Sequence, residues 1–282
     1  DRQPGDVQGE LTVALYAHKM HANGNDYVFI KDYDCTDAAL KNAAVKLSDR
    51  RKGIGGDGLI IVKKIDDYTI KMRIFNADGS EGATCGNGMR CAAYFAKKYL
   101  GVTADEITVS AKAADYKVRL FEQGGKIFAE ADFPLPKEFL SRDKLQRALA
   151  AERERIFAVN AGNEHLVVVD AARSARDYAL SAESIGLFKD GVNVETVTAY
   201  GNSANAVIYE RGSGYTSACG SGAVAIAFVA RQLGAGDVIR VNTAGGTSTV
   251  TFSADKATLK SEIAEAFDGE FYENALSGES GV

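Results

Sequence analysis

Twice in this chain a cysteine stands immediately before Gly-x-Gly and an apolar, alanine-rich run. The copies, Thr84-Cys-Gly-Asn-Gly-Met-Arg-Cys-Ala-Ala-Tyr-Phe-Ala96 and Ala218-Cys-Gly-Ser-Gly-Ala-Val-Ala-Ile-Ala-Phe-Val-Ala230, fall one in each half of the 282 residues. Each run has the character of a buried helix, with its cysteine at the N-terminus. The flanking elements recur in the same order. In the first half, β-branched and aromatic stretches predict strands at Leu11–His18, Asp26–Lys31, Leu59–Lys64 and Thr69–Asn76, with a helix over Thr36–Asp49 capped by Thr36. A second strand series covers Glu106–Phe133, turning at Gly124-Gly125. Phe133-Pro134-Leu135-Pro136 holds two of the three prolines and marks the crossover between halves, because proline removes a donor and forces extended geometry. Strands then follow at Ile156–Asn160, His165–Asp170, Val192–Thr198 and Asn205–Tyr209, then the second helix, then strands over Asp237–Phe252. The expected domains are residues 11–132, carrying Cys85, and 133–282, carrying Cys219, with the last strand able to return to the first domain. Residues 1–10 read as an unpacked leader.

A helix N-terminus offers unpaired backbone N–H groups and the positive end of the helix dipole, and glycines let a ligand approach that backbone closely. Such a site favours a carboxylate. The same field favours thiolate over thiol, lowering a cysteine from its free pKa of about 8.5. A single copy needs no more than a tight helix start around a buried thiol. Two copies in matching halves, facing one another, present one carboxylate cradle with a thiol on either side. That arrangement suits inversion of a carbon α to a carboxylate: a base takes the proton from one face while an acid delivers another to the opposite face. Each cysteine is base for one enantiomer and acid for the other.

Composition narrows the alternatives. A net charge of −5 gives no broad positive field, so neither nucleic acid nor an anionic membrane is an expected partner. The longest apolar run, Ala223 to Ala230, is far short of the ~20 residues of a spanning helix, and the acidic start at Asp1 lacks a signal-peptide pattern, so the expected location is the cytoplasm. Four irregularly spaced cysteines (Cys35, Cys85, Cys91, Cys219) do not make a disulfide scaffold. Gly53-Ile-Gly-Gly-Asp-Gly58 matches G-x-G-x-x-G, but it follows a helix and precedes a strand, the reverse of a dinucleotide site, and reads as a turn. His18, His21 and Cys35 lack metal-ligand spacing, and Cys91, about 600° round the helix from Cys85, reads as core. No metal and no cofactor are expected.

At these motifs the chain resembles the diaminopimelate epimerase family. The resemblance rests on Lys19-Met-His-Ala-Asn-Gly-Asn-Asp-Tyr27, Asp49-Arg50 with Gly53-Ile-Gly-Gly-Asp-Gly-Leu59, Arg73-Ile-Phe-Asn-Ala-Asp-Gly-Ser-Glu81, Cys85-Gly-Asn-Gly-Met-Arg-Cys91, Gly162-Asn-Glu-His165, Val192-Asn193, and Glu210-Arg-Gly212 with Cys219-Gly-Ser-Gly222. It implies an α+β fold of two pseudo-symmetric domains, each a mostly antiparallel, β-barrel-like sheet around a central helix, with the site between them. It further implies cofactor-independent interconversion of LL- and meso-diaminopimelate in lysine and peptidoglycan precursor biosynthesis. Cys85 and Cys219 would be the acid/base pair. Gly86, Asn87, Gly220 and Ser221 would donate to the substrate carboxylate, while His165 and Glu210 would contact the reacting amino group or support the thiols. Asn25, Asn76, Asn163, Asn193 and Arg211 would hold the remainder of the substrate, including its distal carboxylate. Plainer readings stand beside these: Glu210 and Arg211 as a surface ion pair, and any one asparagine as a turn residue.

The chain departs from the family pattern at Glu164 and Ala244, where proline is usual, and at Tyr215, where an acid is usual. These departures leave open a racemase of another amino acid, such as histidine or a diaminopimelate analogue, on the same fold. An amino-acid-binding protein without activity would not need both thiols, and a pyridoxal-phosphate racemase would need a Schiff-base lysine that the sequence does not single out. The expected partner is a small amino acid, with a homodimer left open.

Overall fold

The computed structural model describes residues 14–33, 35–82, 85–189, 191–199 and 201–272. The expected leader and the first three residues of the expected opening strand lie outside them. In the first half, β1 (Ala14–Ala22), β2 (Asn25–Lys31), α1 (Asp37–Ser48), β3 (Gly58–Lys64), β4 (Thr69–Asn76), β5 (Glu81–Gly82), α2 (Gly86–Tyr99), β6 (Glu106–Ser110), β7 (Asp115–Gln123) and β8 (Lys126–Pro134) follow in order. Then come β9 (Lys137–Leu140), α3 (Arg142–Ala148), β10 (Arg155–Asn160), β11 (Glu164–Val169), α4 (Ala175–Ser184), β12 (Asn193–Ala199) and β13 (Ser203–Glu210). The last elements are β14 (Gly214–Thr216), α5 (Gly220–Gln232), β15 (Val238–Thr243), β16 (Gly246–Phe252) and β17 (Lys256–Tyr272).

The repeat read from the two cysteine motifs extends to the whole topology. From β1 to β8, and again from β10 to β17, helices and strands come in the same order. Pairing sense repeats too: β2–β3 and β11–β12 are parallel, as are β4–β6 and β13–β15, and the other neighbours are antiparallel. The expected α+β fold of two pseudo-symmetric, barrel-like units, each around a central helix, is therefore the fold observed.

Helix composition decides which helices are central. In α2 nearly every residue from Asn87 to Ala96 is buried, and in α5 nearly every residue from Gly220 to Ala230. A mostly apolar surface all round, rich in alanine and glycine, lets strands close on every side. Accordingly α2 touches β1, β2, β3, β4, β6, β7, β8 and β17, and α5 touches β10, β11, β12, β13, β15, β16 and β17. By contrast α1 buries only one stripe, Leu40, Ala44 and Leu47, against the outside of the sheet, as α4 does with Ala175, Tyr178, Ala179 and Ala182. With one helix outside and one inside, β3 is buried on both faces from Gly58 to Val62, which accounts for its unbroken Leu-Ile-Ile-Val run.

Local chemistry sets the ends of these elements. Thr36 caps α1 by accepting from Ala39 N–H, as expected. Gly124 and Gly125 turn the β7–β8 hairpin at φ 60° and 74°, the positive values that a tight two-residue hairpin turn requires. The strand expected over Leu11–His18 runs on to Ala22 and turns at Asn23-Gly24, also at positive φ, which delivers Asn25 to the start of β2. Helices α3 and α4 were not expected. For α4 the signal was present as Ser174 and Asp177, which form a capping box.

One strand joins the halves. The first part of β17 pairs with β16 and, from Lys256↔Pro134 to Ile263↔Ile127, with β8; its last part, from Ile263, pairs with β1. It thus completes both barrels. Leu259 lies in the shared stretch, fully buried, opposite Ala131 on one side and Val250 on the other. Leu259→Ala should cost about 2–5 kcal/mol, with both halves losing structure in one transition, read by denaturant unfolding followed in the far-UV and by tyrosine fluorescence. Two separated transitions would show that the strand does not couple the halves.

Candidate active site

Both motif cysteines occupy the N-cap in extended conformation, with φ/ψ of −146°/116° at Cys85 and −128°/126° at Cys219. The thiol takes the place of the usual capping oxygen: Gly88 N–H donates to Cys85 Sγ at 3.3 Å and Gly222 N–H to Cys219 Sγ at 3.4 Å. The two helix starts abut. A Cβ on Gly86 would stand 3.6 Å from Gly220 Cα, and one on Gly220 would stand 3.5 Å from Gly86 Cα. Two positive helix ends thus converge, an arrangement that is unfavourable when empty and favourable around an anion.

Around Cys85 the first half supplies Tyr27, whose hydroxyl is 3.4 Å from Sγ, and Asn25, whose Oδ1 lies 3.7 Å from it. Asn87 donates to Asn25 Oδ1 at 3.0 Å and to the Ala218 carbonyl at 3.2 Å, linking the first half to the residue before Cys219. Asn25 in turn donates to Asp57 Oδ2 at 2.5 Å. Asp57 and Asp26 share Arg50, and Asp26 also meets Lys19 at 2.6 Å, so a charged network braces Asn25 from behind.

Around Cys219 the second half supplies Ser221, with Oγ 3.5 Å from Sγ, and Glu210, whose carboxylate accepts from Thr216 Oγ1 at 2.6 Å. Glu210 therefore faces inward, which removes the reading of it as half of a surface ion pair. Its charge acts on Cys85 as well as on Cys219. Deeper, His165 Nδ1 lies 2.7 Å from Glu195 Oε1, both side chains fully buried. A Cβ on Gly222 would stand 2.6 Å from Glu195 Oε1, so this acid lies directly beneath the Cys219 helix start.

The other expected residues form an outer tier. Asn193 Oδ1 accepts from Arg211 N–H at 3.0 Å, which brings those two together. Asn76, at the end of β4 opposite Gly58, donates to Ser80 Oγ at 2.9 Å within its own turn. Asn163 is exposed in the turn between β10 and β11, where its carbonyl accepts from Ala161 N–H. Of the departing residues, Glu164 pairs with Asn160 across β10 and β11, and Tyr215 sets its ring edge-on to Tyr209. Ala244 lies in the turn between β15 and β16.

Four residues that the sequence did not single out complete the site: Tyr27, Asp57, Arg90 and Glu195. Two had a visible signal, since Arg90 and Glu195 are lone charges in the apolar runs Gly88-Met-Arg-Cys-Ala-Ala93 and Val194-Glu-Thr-Val197. The decoys stand as expected: Gly53–Gly58 links α1 to β3 as a turn, and Cys91 is buried in the core.

Comparison with known proteins places this chain in a family. The family model described as diaminopimelate epimerase matches residues 17–132 and 157–266. A diaminopimelate epimerase of Bacteroides thetaiotaomicron is 35% identical over 271 residues, covering 92% of this chain and 99% of that protein. One of Bacillus licheniformis is 32% identical over 276 residues, covering 90% and 97%. Among solved structures, a PhzF-family phenazine biosynthesis protein of Bacillus anthracis superposes with TM-score 0.69 at 16% identity, covering 92% of this chain and 99% of its own. A hydroxyproline epimerase of Agrobacterium vitis superposes with TM-score 0.61 at 12% identity, covering 94% and 93%. These two share the fold.

The electrostatics depart from the sequence expectation in one respect. The helix ends were expected to depress both thiol pKa values, yet both are raised. Burial is the first cause at each, and it outweighs the Tyr27 hydroxyl and Gly88 N–H at Cys85. At Cys219 the negative Glu210 and Glu195 add to burial, and the rise is larger, against relief from Ser221 and Gly222 N–H. Helix-end amides supply partial charges, whereas desolvation penalises a whole one. Without substrate both groups are thus held as thiols at neutral pH. Iodoacetamide labelling followed by peptide mapping should show Cys85 alkylated only above the pH range of a free cysteine, and Cys219 at higher pH still. Half-labelling of Cys219 below that of Cys85 would reverse this ordering.

Proposed function

The chain belongs to the diaminopimelate epimerase family, and from that premise we propose that it interconverts LL- and meso-diaminopimelate by two-thiol proton transfer at the α-carbon. It is an isomerase that needs no pyridoxal phosphate, acting in lysine and peptidoglycan precursor biosynthesis. The observation that carries the reading is the pair of cysteine N-caps on abutting helix starts, one from each half. The substrate α-carboxylate would sit where the two helix ends converge, accepting from the N–H groups of the first turns at Gly86, Asn87, Gly220 and Ser221. Negative charge developing on that carboxylate as the α-proton leaves is stabilised by the same donors.

In each turnover one cysteine, as thiolate, takes the α-proton and becomes a thiol, while the other gives its proton to the opposite face and becomes a thiolate. Charge is conserved and the cysteines exchange roles. Forming the first thiolate requires an acceptor, and Glu210 is placed for it: held inward by Thr216, its negative charge acts on Cys219, and burial raises its own pKa, so a proton can rest there. His165, held by Glu195, supports the amino group from the same side. Asn25 completes the Cys85 side, while Asn76, Asn163, Asn193 and Arg211 hold the distal end of the substrate. The proposed units are residues 11–132 and 133–282, with the last strand returning to the first domain, and they bring the cysteines together. The reading sets the reaction in the cytoplasm, where reduced thiols persist; Cys35, Cys85, Cys91 and Cys219 are all free. Sedimentation of the purified chain distinguishes a monomer from a homodimer. Relatives at 32–35% identity carry the diaminopimelate name, so a racemase of a different amino acid is not favoured.

Cys85→Ala or Cys219→Ala should each abolish inversion, measured with purified stereoisomers, while leaving the circular dichroism spectrum unchanged. Each variant should still exchange the α-proton of one stereoisomer with heavy water through its remaining base. Near-normal epimerisation by either would sink the two-thiol mechanism. Loss of activity on exhaustive chelation, restored by a metal, would contradict the cofactor-free reading. A second substitution tests the distal end: a charge-assisted hydrogen bond contributes about 1.5–3 kcal/mol, so Arg211→Met should lower kcat/KM on diaminopimelate at least roughly tenfold. Turnover of an amino acid without a distal carboxylate should be nearly unchanged, and an equal loss on both substrates would remove Arg211 from that role.

A further inference from the structure

Arg90 lies in the second turn of α2 with its side chain fully buried. One nitrogen, Nη2, donates to Asn87 Oδ1, whereas Nε and Nη1 have no hydrogen-bond partner among the described residues. A guanidinium carries five donors, so this is a costly way to bury a charge. Other arginines of the chain meet carboxylates: Arg50 holds Asp26, and Arg119 holds Asp132. Burial pushes Arg90 down to about 10, which still leaves it a cation at neutral pH. The groups whose negative forms would act on it are Cys91, Cys85 and Cys219. Cys91, pushed up to about 12 by burial, stays a thiol. The anions left to face this cation are the two site thiolates and whatever carboxylate binds between the helix ends. Arg90 also fixes Asn87: with Oδ1 committed to the guanidinium, Nδ2 must face Asn25 and the Ala218 carbonyl. Val224 stands at the matching place of the second motif, so the second helix carries no equivalent cation.

We propose that Arg90 is a positioning residue of the reaction: a buried cation behind the paired helix starts that gains its counter-ion only when the site holds a thiolate and a substrate carboxylate, and that locks Asn87 as the bridge between the halves. The proposal rests on the two-thiol reading. The other titratable groups facing the thiols are Tyr27 of β2 and Glu210 of β13 at Cys85, and Glu210, Glu195 of β12 and, through Glu210 and Glu195, His165 of β11 at Cys219. The acids among them oppose thiolate formation, so removing Arg90 leaves their effect unbalanced.

The test compares wild type, Arg90→Met and Arg90→Lys by thermal midpoint, by the pH dependence of iodoacetamide labelling at Cys85 and Cys219, and by kcat/KM on diaminopimelate. Arg90→Met should be at least as heat-stable as wild type, because an apolar chain replaces an underpaired buried charge. Its labelling midpoints should rise by about one pH unit at both cysteines, and kcat/KM should fall at least about tenfold. Arg90→Lys, which keeps the charge but loses the planar donor fork, should hold the midpoints near wild type and recover part of the activity. A purely structural role would move the thermal midpoint and leave the labelling profile in place, and that result overturns the proposal. If Arg90→Met does not fold, Arg90→Lys decides: unshifted midpoints support the proposal, and midpoints raised by a full unit overturn it. Labelling needs no substrate, so a wild type inactive on diaminopimelate would refute the functional reading while a midpoint shift in Arg90→Met still upheld the buried cation.

Discussion

Two helix N-termini buried against each other at Gly86 and Gly220 are the constraint around which the rest of this molecule is arranged. A buried helix start brings unpaired amides and partial positive charge into a place where water cannot attend to both. The chain meets part of that demand with its own sulfurs, which cap Gly88 and Gly222, and leaves the remainder for an anion. Everything nearby follows from holding these ends in register. Alanine and glycine in α2 and α5 let strands close around each helix, and Asn87 spans from one half to the other. The outer helices seal the back of the sheet.

The same burial sets the chemistry. A thiol in water at neutral pH is already part thiolate, but these two are driven the other way by desolvation, more so at Cys219, where Glu210 and Glu195 stand close. A base that is hard to form is a strong base once formed. Both sulfurs are thereby held protonated at neutral pH, which keeps a reactive thiolate from lingering at the helix starts.

Much of this was legible in the sequence because it resides in short, local signals. The Cys-Gly-x-Gly starts, the Thr36 cap and the Gly124-Gly125 turn depend on neighbours a few residues away, and each is found where its chemistry indicates. Joint placement was legible through the repeat, since equivalent motifs in equivalent halves must meet or face apart. What escaped was long-range and polar. Glu195 and Arg90 are single charges in apolar runs, and only the fold shows that one lies beneath Gly222 and the other behind Asn87. The depressed thiol pKa expected from the helix ends failed because sequence reveals the dipole but not the depth of burial.

The shared strand β17 has a consequence for how the protein comes into being. Within the first barrel, β1 and β8 have each other's missing partner in a segment that begins only at Lys256. On the ribosome, the first half therefore emerges with its barrel gapped and two strand edges unpaired, and it stays so until the segment from Lys256 to Tyr272 has been translated. Closing that gap brings together residues separated by most of the polypeptide, so the final zipping is slow in the manner of high-contact-order sheets. For that interval the newborn half depends on whatever in the cell shields open β-edges.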